Sequence, residues 1–398
     1  MRNIMITGMF RSGSTLLSKL MNFHSEVVVA NDSFLHFFRR FRDRAYSSHA
    51  THDWTPGGPF KDNFLNPNVA ARLAIAGSDL SERLSPEDLD ALNNRVDDTT
   101  AKFHPGLLED IARIWADTFA GFFEELMVLV ARSYPKQGCA DPVVGFKMSW
   151  LEEFIPAMLR AFPDFKVLLL YRDVRAVAAS QNAKEEKRPY LFYARNWRKS
   201  VASLIAFTNP ASGLADRVLP VCYESLVDEP EKQARRICDF LGLEYDPAMI
   251  DVSSNVDQTT GTNWESNSSY GQQQGIFTSS VDRWKQTLTP DQIDFLEYLC
   301  GPELHYLGYE LVGRHRTASD FPLPDMEPNE AELVSWLRGE PESAHLTDAS
   351  KWKQVLENEE MRRAVLAGSE SLDGDGVVQF FLYPEALAVL SEAYADLS

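Results

Sequence analysis

The apolar positions of this chain fall into short continuous runs. Ile4-Met5-Ile6, Val27–Ala30, Val143–Ser149, Lys166–Tyr171 and Val218–Tyr223 are each bounded by turn-forming or polar residues. Runs of this length, apolar on both sides of the backbone, predict strands covered on both faces. Between them the apolar period changes to that of helices, over about Ser14–Phe23, Leu151–Phe162, Ala176 to about Glu185, and Tyr190–Phe207. In the last of these Phe192, Trp197, Val201 and Leu204 form one stripe. Strand and helix alternating through short links predict an α/β fold, a doubly wound, mainly parallel sheet flanked by helices.

The segment of about residues 34–140 breaks this alternation, because it carries no convincing strand. Phe34, Leu35, Phe37, Phe38 and Phe41 with Arg39, Arg40 and Arg42 predict an aromatic-rich helix, and Ser85-Pro86 predicts a helix start with serine as the cap. Leu107–Ala131 has helical spacing through Ile111, Ile114, Trp115, Phe119, Phe122, Leu126 and Val130, while Asp53–Phe60 reads as loop. A helical insertion of this size between sheet strands reads either as a lid or acceptor pocket, or as a helical layer that only packs.

Later in the chain, Asp228–Glu231 is expected to cap a helix ending at Gly242, and residues 251–280 are polar and loop-like. Thr289-Pro290-Asp291-Gln292 is a capping box expected to open a helix to about Leu299. Pro322, Pro324 and Pro328 mark a linker. Asp373-Gly374-Asp375-Gly376 lacks the terminal oxygen ligand of an EF-hand and reads as a turn. The expected organisation is one domain over 1–314 containing the insertion, a linker over 315–328, and an acidic helical C-terminal extension over 329–398 that offers a contact surface.

Chemistry concentrates at the first strand. Gly8-Met9-Phe10-Arg11-Ser12-Gly13-Ser14-Thr15 follows the first apolar run and leads into the first helix, which is the strand, loop, helix order of a P-loop. The spacing matches except at the lysine, where Ser14 stands, and the nearest cation is Arg11 inside the loop. Loop N–H groups and the positive helix N-terminus still form an anion cradle, but the usual grip on a γ-phosphate is lost. The bland alternative is a Gly/Ser loop that merely turns the chain. Asp32 follows the second strand, and ligands gather at the carboxyl ends of strands in such sheets.

Charge narrows the partners. The 398 residues carry 39 basic and 58 acidic side chains, a net −19, which argues against nucleic acid or a polybasic membrane surface as partner. From His315 to Ser398 there are 17 acidic and 6 basic residues, so −11 of that charge belongs to the tail. Cys139, Cys222, Cys238 and Cys300 lack metal-ligand spacing and read as reduced thiols without a zinc site. No apolar run approaches the ~20 residues that span a bilayer, and the first strand leaves no room for a leader, so a cytoplasmic enzyme is expected.

Several of these segments, over about 1–33 and 143–312, together resemble the PAPS-dependent sulfotransferases, which move a sulfuryl group from 3′-phosphoadenosine 5′-phosphosulfate (PAPS) to a hydroxyl or amine and release adenosine 3′,5′-bisphosphate (PAP). The resemblance is closer to the bacterial and protein-tyrosine branch than to the histidine-base cytosolic branch. It implies a P-loop-containing fold, a PAPS donor and no required metal. It assigns Arg11, Ser12, Gly13, Ser14 and Thr15 to the 5′ end of the donor, and Arg172 and Ser180, eight residues apart, to the 3′-phosphate. The spacing suits this, since it covers about two helical turns beyond the strand end. Tyr223 is similar in position to a residue beside the nucleotide, with a packed sheet tyrosine as the alternative. Ser279–Trp284 resembles the loop that closes over the donor, placing Ser280 there; many relatives carry a lysine where this chain has Gln274.

Transfer needs a base for the acceptor proton and positive charge on the oxygen that leaves with the phosphate. In one branch the base is a histidine two residues after a strand lysine, but here Ser149 follows Lys147 at that distance. The protein-tyrosine branch uses a glutamate shortly after the P-loop helix, and the resemblance places Asp32 there. The expectation is Asp32 as base, Arg11 and Lys147 stabilising the transferring group, and His36 as the reserve base. The alternatives are Asp32 as a helix cap and Lys147 as a solvent-facing strand end. The expected acceptor is a small molecule, sugar or natural product. A kinase using ATP and magnesium, or a non-catalytic nucleotide-binding scaffold, are the competing readings.

Overall fold

A computed structural model describes residues 2–47, 56–58, 60, 62–65, 69–94, 104, 107, 110–180, 190–252, 256–257, 262–263, 275–314, 317–321 and 349–397. Gln274, most of the expected 315–328 linker and the loop 53–55 lie outside the described residues. The chain divides into two compact units, one of Met1–Phe60, Asn68–Tyr171 and Phe207–Thr278, the other of Lys61–Pro67, Arg172–Ala206 and Ser279–Ser398. Among the described residues no helix is long and apolar enough to cross a membrane.

The first unit holds a five-stranded sheet in the order β2-β3-β1-β4-β5, with β1 Arg2–Gly8, β2 Val27–Asn31, β3 Val143–Lys147, β4 Lys166–Tyr171 and β5 Val218–Cys222. Every neighbouring pair is parallel. Such a sheet must be covered on both faces, which is why its strands read as unbroken apolar runs. On one face Ile4, Ile6, Val27, Val29, Leu168, Leu170 and Val221 pack with Leu17, Leu20 and Met21 of helix α1 (Ser14–Phe23) and with Ile237 and Leu241 of the helix Pro230–Leu241.

The other face is aromatic. Phe146 of β3 packs against Phe38 of α2 (Leu35–Ser47) at 5.5 Å between centroids and against Phe123 of the helix Phe119–Ser133 at 5.7 Å. Phe37, Phe41, Phe119 and Phe122 are buried around them. These rings form a layer of the core, each fully buried side chain contributing about 1.5–3 kcal/mol. Two further helices of this region are α3 (Val69–Gly77) and α4 (Pro86–Asn94). Ser85 Oγ accepts from the Asp88 N–H while the Asp88 carboxylate accepts from the Ser85 N–H, so the predicted α4 cap is reciprocal.

Four local expectations are corrected. The helix expected over Leu107–Ala131 is interrupted, because the 117–120 backbone bonds to residues 80–84 instead. Thr118 then caps a new helix from Phe119, and Trp115 is left 71% exposed. Asp228–Glu231 supplies no side-chain cap to the helix Pro230–Leu241, although Gly242 ends that helix in a left-handed turn as expected. The Thr289 capping box forms, but its helix continues through Pro302 to Tyr306. Asp373 is the N-cap of the helix Gly374–Phe381, its carboxylate accepting from the Gly376 N–H.

All four cysteines are free thiols. Burial pushes Cys238 up to about 11, and Cys300 well above its ordinary value, so neither is a ready thiolate.

β2 is an edge strand, and its open side is systematically covered. The N–H of Val27 donates to the His24 carbonyl, and that of Val29 to Asn22 Oδ1 at 2.7 Å, while Asn22 Nδ2 donates back to the Val29 carbonyl at 2.9 Å. The last turn of α1 thus occupies the positions where another strand would add. We expect Asn22→Leu, which leaves a buried donor and acceptor unsatisfied, to lower stability by about 2–4 kcal/mol in urea unfolding; a loss below about 0.5 kcal/mol would show that the edge needs no such cover.

Candidate active site

The strand register assembles the site. Lys147, the last residue of β3, pairs with Ile6 of β1 on one side and Asn31 of β2 on the other. The carboxyl ends of the three strands therefore lie at one level, and the residues that follow them become neighbours. Asp32 follows β2, and its N–H donates to the Lys147 carbonyl at 2.7 Å. Its carboxylate accepts from Lys147 Nζ, also at 2.7 Å. Asp32 is thus held to one residue through both backbone and side chain. The Lys147 side chain is only 4% exposed, that of Asp32 28%, so the solvent-facing-lysine alternative does not hold.

The loop after β1 is braced from β3 as well. Trp150 donates its N–H to the Gly8 carbonyl at 3.2 Å and its indole N–H to Met9 Sδ at 3.4 Å, and its ring meets Phe10 edge-on. Gly8 has φ 138, and a Cβ there would lie 2.2 Å from the Leu170 carbonyl oxygen of β4, so only glycine fits. Arg11 takes a left-handed conformation with φ 65. Gly13, at φ 91, is the N-cap of α1, and no side chain caps the helix.

Tyr223 closes against this loop, since a Cβ on Gly13 would lie 2.2 Å from its Cδ2. Tyr223 is not a strand residue; it opens the short helix Tyr223–Asp228 just after β5. Ser12 and Ser14 are buried, Thr15 and Arg11 half-buried. Ser12 Oγ is buried and has no hydrogen-bond partner among the described residues. An orphaned hydroxyl beside a helix N-terminus without a side-chain cap suits an anionic group such as a phosphosulfate.

In the second unit the Arg172-Asp173-Val174-Arg175 motif divides its labour. Asp173 caps the helix Val174–Ala178 and forms an ion pair with Arg175 at 2.8 Å. Arg175 also binds Glu297 and the Glu310 carbonyl, and lies 4.0 Å from the Trp284 ring centroid. Burial alone would lower its guanidinium, but the hydrogen bonds and charges of Asp173 and Glu297 outweigh this and hold it above its ordinary value. Arg175 is therefore committed to the packing. Arg172 is buried, its Nη2 donates to the Ser280 carbonyl at 2.8 Å, and its own carbonyl accepts from Trp197 Nε1 at 2.7 Å. Ser180 is buried just past the five-residue helix, whose single turn replaces the two expected, and its N–H donates to the Val177 carbonyl.

The predicted residues thus gather in three groups, Asp32 with Lys147, Gly13 with Tyr223, and Arg172 with Ser280. His36 lies in the first turn of α2, its Nε2 buried without a hydrogen-bond partner among the described residues. Missed from the sequence were Asn31 and His104. Asn31 accepts at Oδ1 from Ser18 Oγ of α1, and its N–H donates to His104 Nε2 at 2.9 Å. His104 lies in the insertion, 73 residues along the chain from Asn31, so no local pattern pointed to it.

A putative protein-tyrosine sulfotransferase of Caenorhabditis briggsae is 24% identical over 207 residues, 50% of this chain and 69% of that protein. Carbohydrate sulfotransferase 2 of Mus musculus is 26% identical over 199 residues, 39% of this chain and 37% of that protein. Among solved structures, a sulfotransferase domain from the curacin biosynthetic pathway aligns with a TM-score of 0.47 at 18% identity, covering 78% of this chain and 98% of that one. The family model described as "Sulfotransferase family" matches residues 3–247, which span the loop after β1, Asp32, Lys147, Arg172 and Tyr223, and the chain belongs to that family.

Proposed function

We propose that this protein transfers a sulfuryl group from PAPS to a hydroxyl or amine of a small-molecule, sugar or natural-product acceptor, with Asp32 as general base. The observation that carries the proposal is the Lys147–Asp32 pair at the carboxyl ends of adjacent strands, level with the loop that follows β1. In the reaction the acceptor oxygen or nitrogen forms a bond to sulfur as the bond from sulfur to the 5′-phosphate oxygen breaks. The acceptor proton passes to the Asp32 carboxylate, and Arg11 and Lys147 offset the charge that develops on the departing oxygen.

Ser12, Ser14, Thr15 and the first-turn N–H groups of α1 are the groups proposed to hold the 5′ end. Tyr223 backs the loop at Gly13. Arg172 and Ser180 are assigned to the 3′-phosphate, with the Ser280 carbonyl orienting the Arg172 guanidinium. The family match supports the donor class, and a hydroxyl acceptor is supported by the names of the relatives, which are protein-tyrosine and carbohydrate sulfotransferases. We assign the catalytic domain to 1–314 and treat 329–398 as an extension of it.

Three measurements test the reading. Adenosine 3′,5′-bisphosphate should raise the melting temperature without magnesium, whereas stabilisation only by ATP with magnesium would favour a kinase. With radiolabelled PAPS and a panel of p-nitrophenol, N-acetylglucosamine and a tyrosine-containing peptide, Asp32→Asn should lose at least about 100-fold in kcat while binding the bisphosphate as the unmodified protein does. Retained turnover removes Asp32 as base. Arg172→Ala should weaken bisphosphate binding by about 10- to 100-fold, the worth of a charge-assisted contact, and equal affinity would take Arg172 out of the donor site.

A further inference from the structure

The base proposed above is one residue beyond Asn31, and what holds Asn31 is a buried histidine that the reaction scheme does not use. Along an edge strand, successive N–H groups point alternately into the sheet and away from it. The Asp32 N–H points inward, to the Lys147 carbonyl, so the Asn31 N–H points outward. At Val27 and Val29 the outward groups are met by the end of α1. At Asn31 the partner changes to His104 Nε2, and the ring's Nδ1 lies 2.7 Å from Tyr134 Oη.

This sets the tautomer. To accept from a backbone N–H, Nε2 must carry a lone pair, so the ring proton sits on Nδ1 and is donated to Tyr134 Oη. His104 is completely buried, and Tyr134 is the residue that ends the helix Phe119–Ser133. The chain Tyr134, His104, Asn31 thus runs from the helical insertion to the residue before the base. Asn31 is gripped on its other side by Ser18 Oγ of the loop helix, and its carbonyl accepts from Ser33 Oγ at 3.1 Å. Directly after this clamp the backbone enters a left-handed turn at Asp32, with φ 48. Aspartate tolerates that conformation better than most residues with a Cβ, and here the contacts on either side of it hold it there.

We propose that His104 is a positioning residue for transfer, fixing Asn31 and through it the turn that aims the Asp32 carboxylate; this rests on Asp32 being the base. It acts on neither donor nor acceptor. Its effect belongs in kcat, because displacement of a catalytic group by about 1 Å costs up to about 100-fold in rate with little change in binding. A role confined to covering the sheet edge would instead appear in stability alone.

The test uses the full chain, radiolabelled PAPS and the same three acceptors. His104→Leu, which removes the acceptor nitrogen, should lower kcat by about 10- to 100-fold with acceptor KM and bisphosphate Kd within about two-fold of the unmodified protein. His104→Gln, which can place an amide oxygen near the Nε2 position, should recover most of the loss. Unchanged kcat in His104→Leu, or a loss that His104→Gln does not relieve, overturns the proposal. Should His104→Leu fail to fold, Tyr134→Phe, which deletes only the hydroxyl that orients the ring, decides the matter: a kcat loss of about three-fold or more at unchanged bisphosphate Kd supports the proposal, and full kcat overturns it. Asp32→Asn in parallel separates the two ideas. Full turnover there removes the base and this proposal with it, whereas loss there with full turnover in His104→Leu removes this proposal alone.

Discussion

The backbone pairing of β3 with both its neighbours is the constraint from which the site follows. Because Lys147 stands opposite Ile6 and Asn31, the three chains leave the sheet together, and Lys147, Asp32 and the loop from Gly8 occupy one end of it. A shift of one residue in β3 would invert every side chain, sending Phe146 out of the aromatic layer and Lys147 off its present face. The core on both sides of the sheet therefore enforces the register, and the register places the chemistry. Packing that has no contact with any ligand thereby specifies where the reactive groups lie.

The same end of the sheet is where backbone strain collects. Of seven described non-glycine residues with positive φ, Arg11, Asp32, Phe34 and Trp150 lie just after β1, β2 and β3. A left-handed conformation costs an L-residue roughly 1–2 kcal/mol, so four together are costly. Local interactions offset them. The Asp32 N–H is taken by Lys147 and the Trp150 N–H by Gly8, while the Phe34 ring is buried against Phe146. Strain held in this way over-determines the position of the groups that carry it, which is the arrangement expected where preorganisation matters.

What could be read from the sequence was what depends on neighbours along the chain. The five strands, the loop between Gly8 and Thr15, and the placing of Asp32 and Lys147 at strand ends all follow from local apolar runs and from the α/β rule for ligand sites. The missed features depend on partners far away. Leu107–Ala131 has a helical period, yet residues 80–84 take the backbone groups that a continuous helix would need. Nothing in the spacing of Asn22 or His104 reveals that they cover the open edge of β2, since the edge exists only once the sheet is assembled. In the Arg172–Arg175 motif the resemblance singles out Arg172 and leaves Arg175 without a role. Burial beside Asp173, Glu297 and Trp284 commits Arg175 to packing.

The acidic tail shows why summed charge is a poor guide to surface chemistry. Glu359 and Arg362, both from the tail, are buried in the second unit with Arg198 and Glu303. Arg198 pairs with Glu359 at 2.9 Å, and Arg362 with Glu303 and Glu359. Two positive and two negative groups cancel, so this cluster adds nothing to the tail's field although half its members are tail residues. Bringing four charges out of water is costly, and such a cluster contributes less to stability than its short distances suggest. Its consequence lies in what a substitution does. Removal of one member would strand an unpaired charge in the interior, so the helix Ala349–Leu366 is tied to Arg198 and Glu303 by the cost of separation more than by net attraction. This helix is built into the unit that also contains Arg172, Ser180 and Ser280.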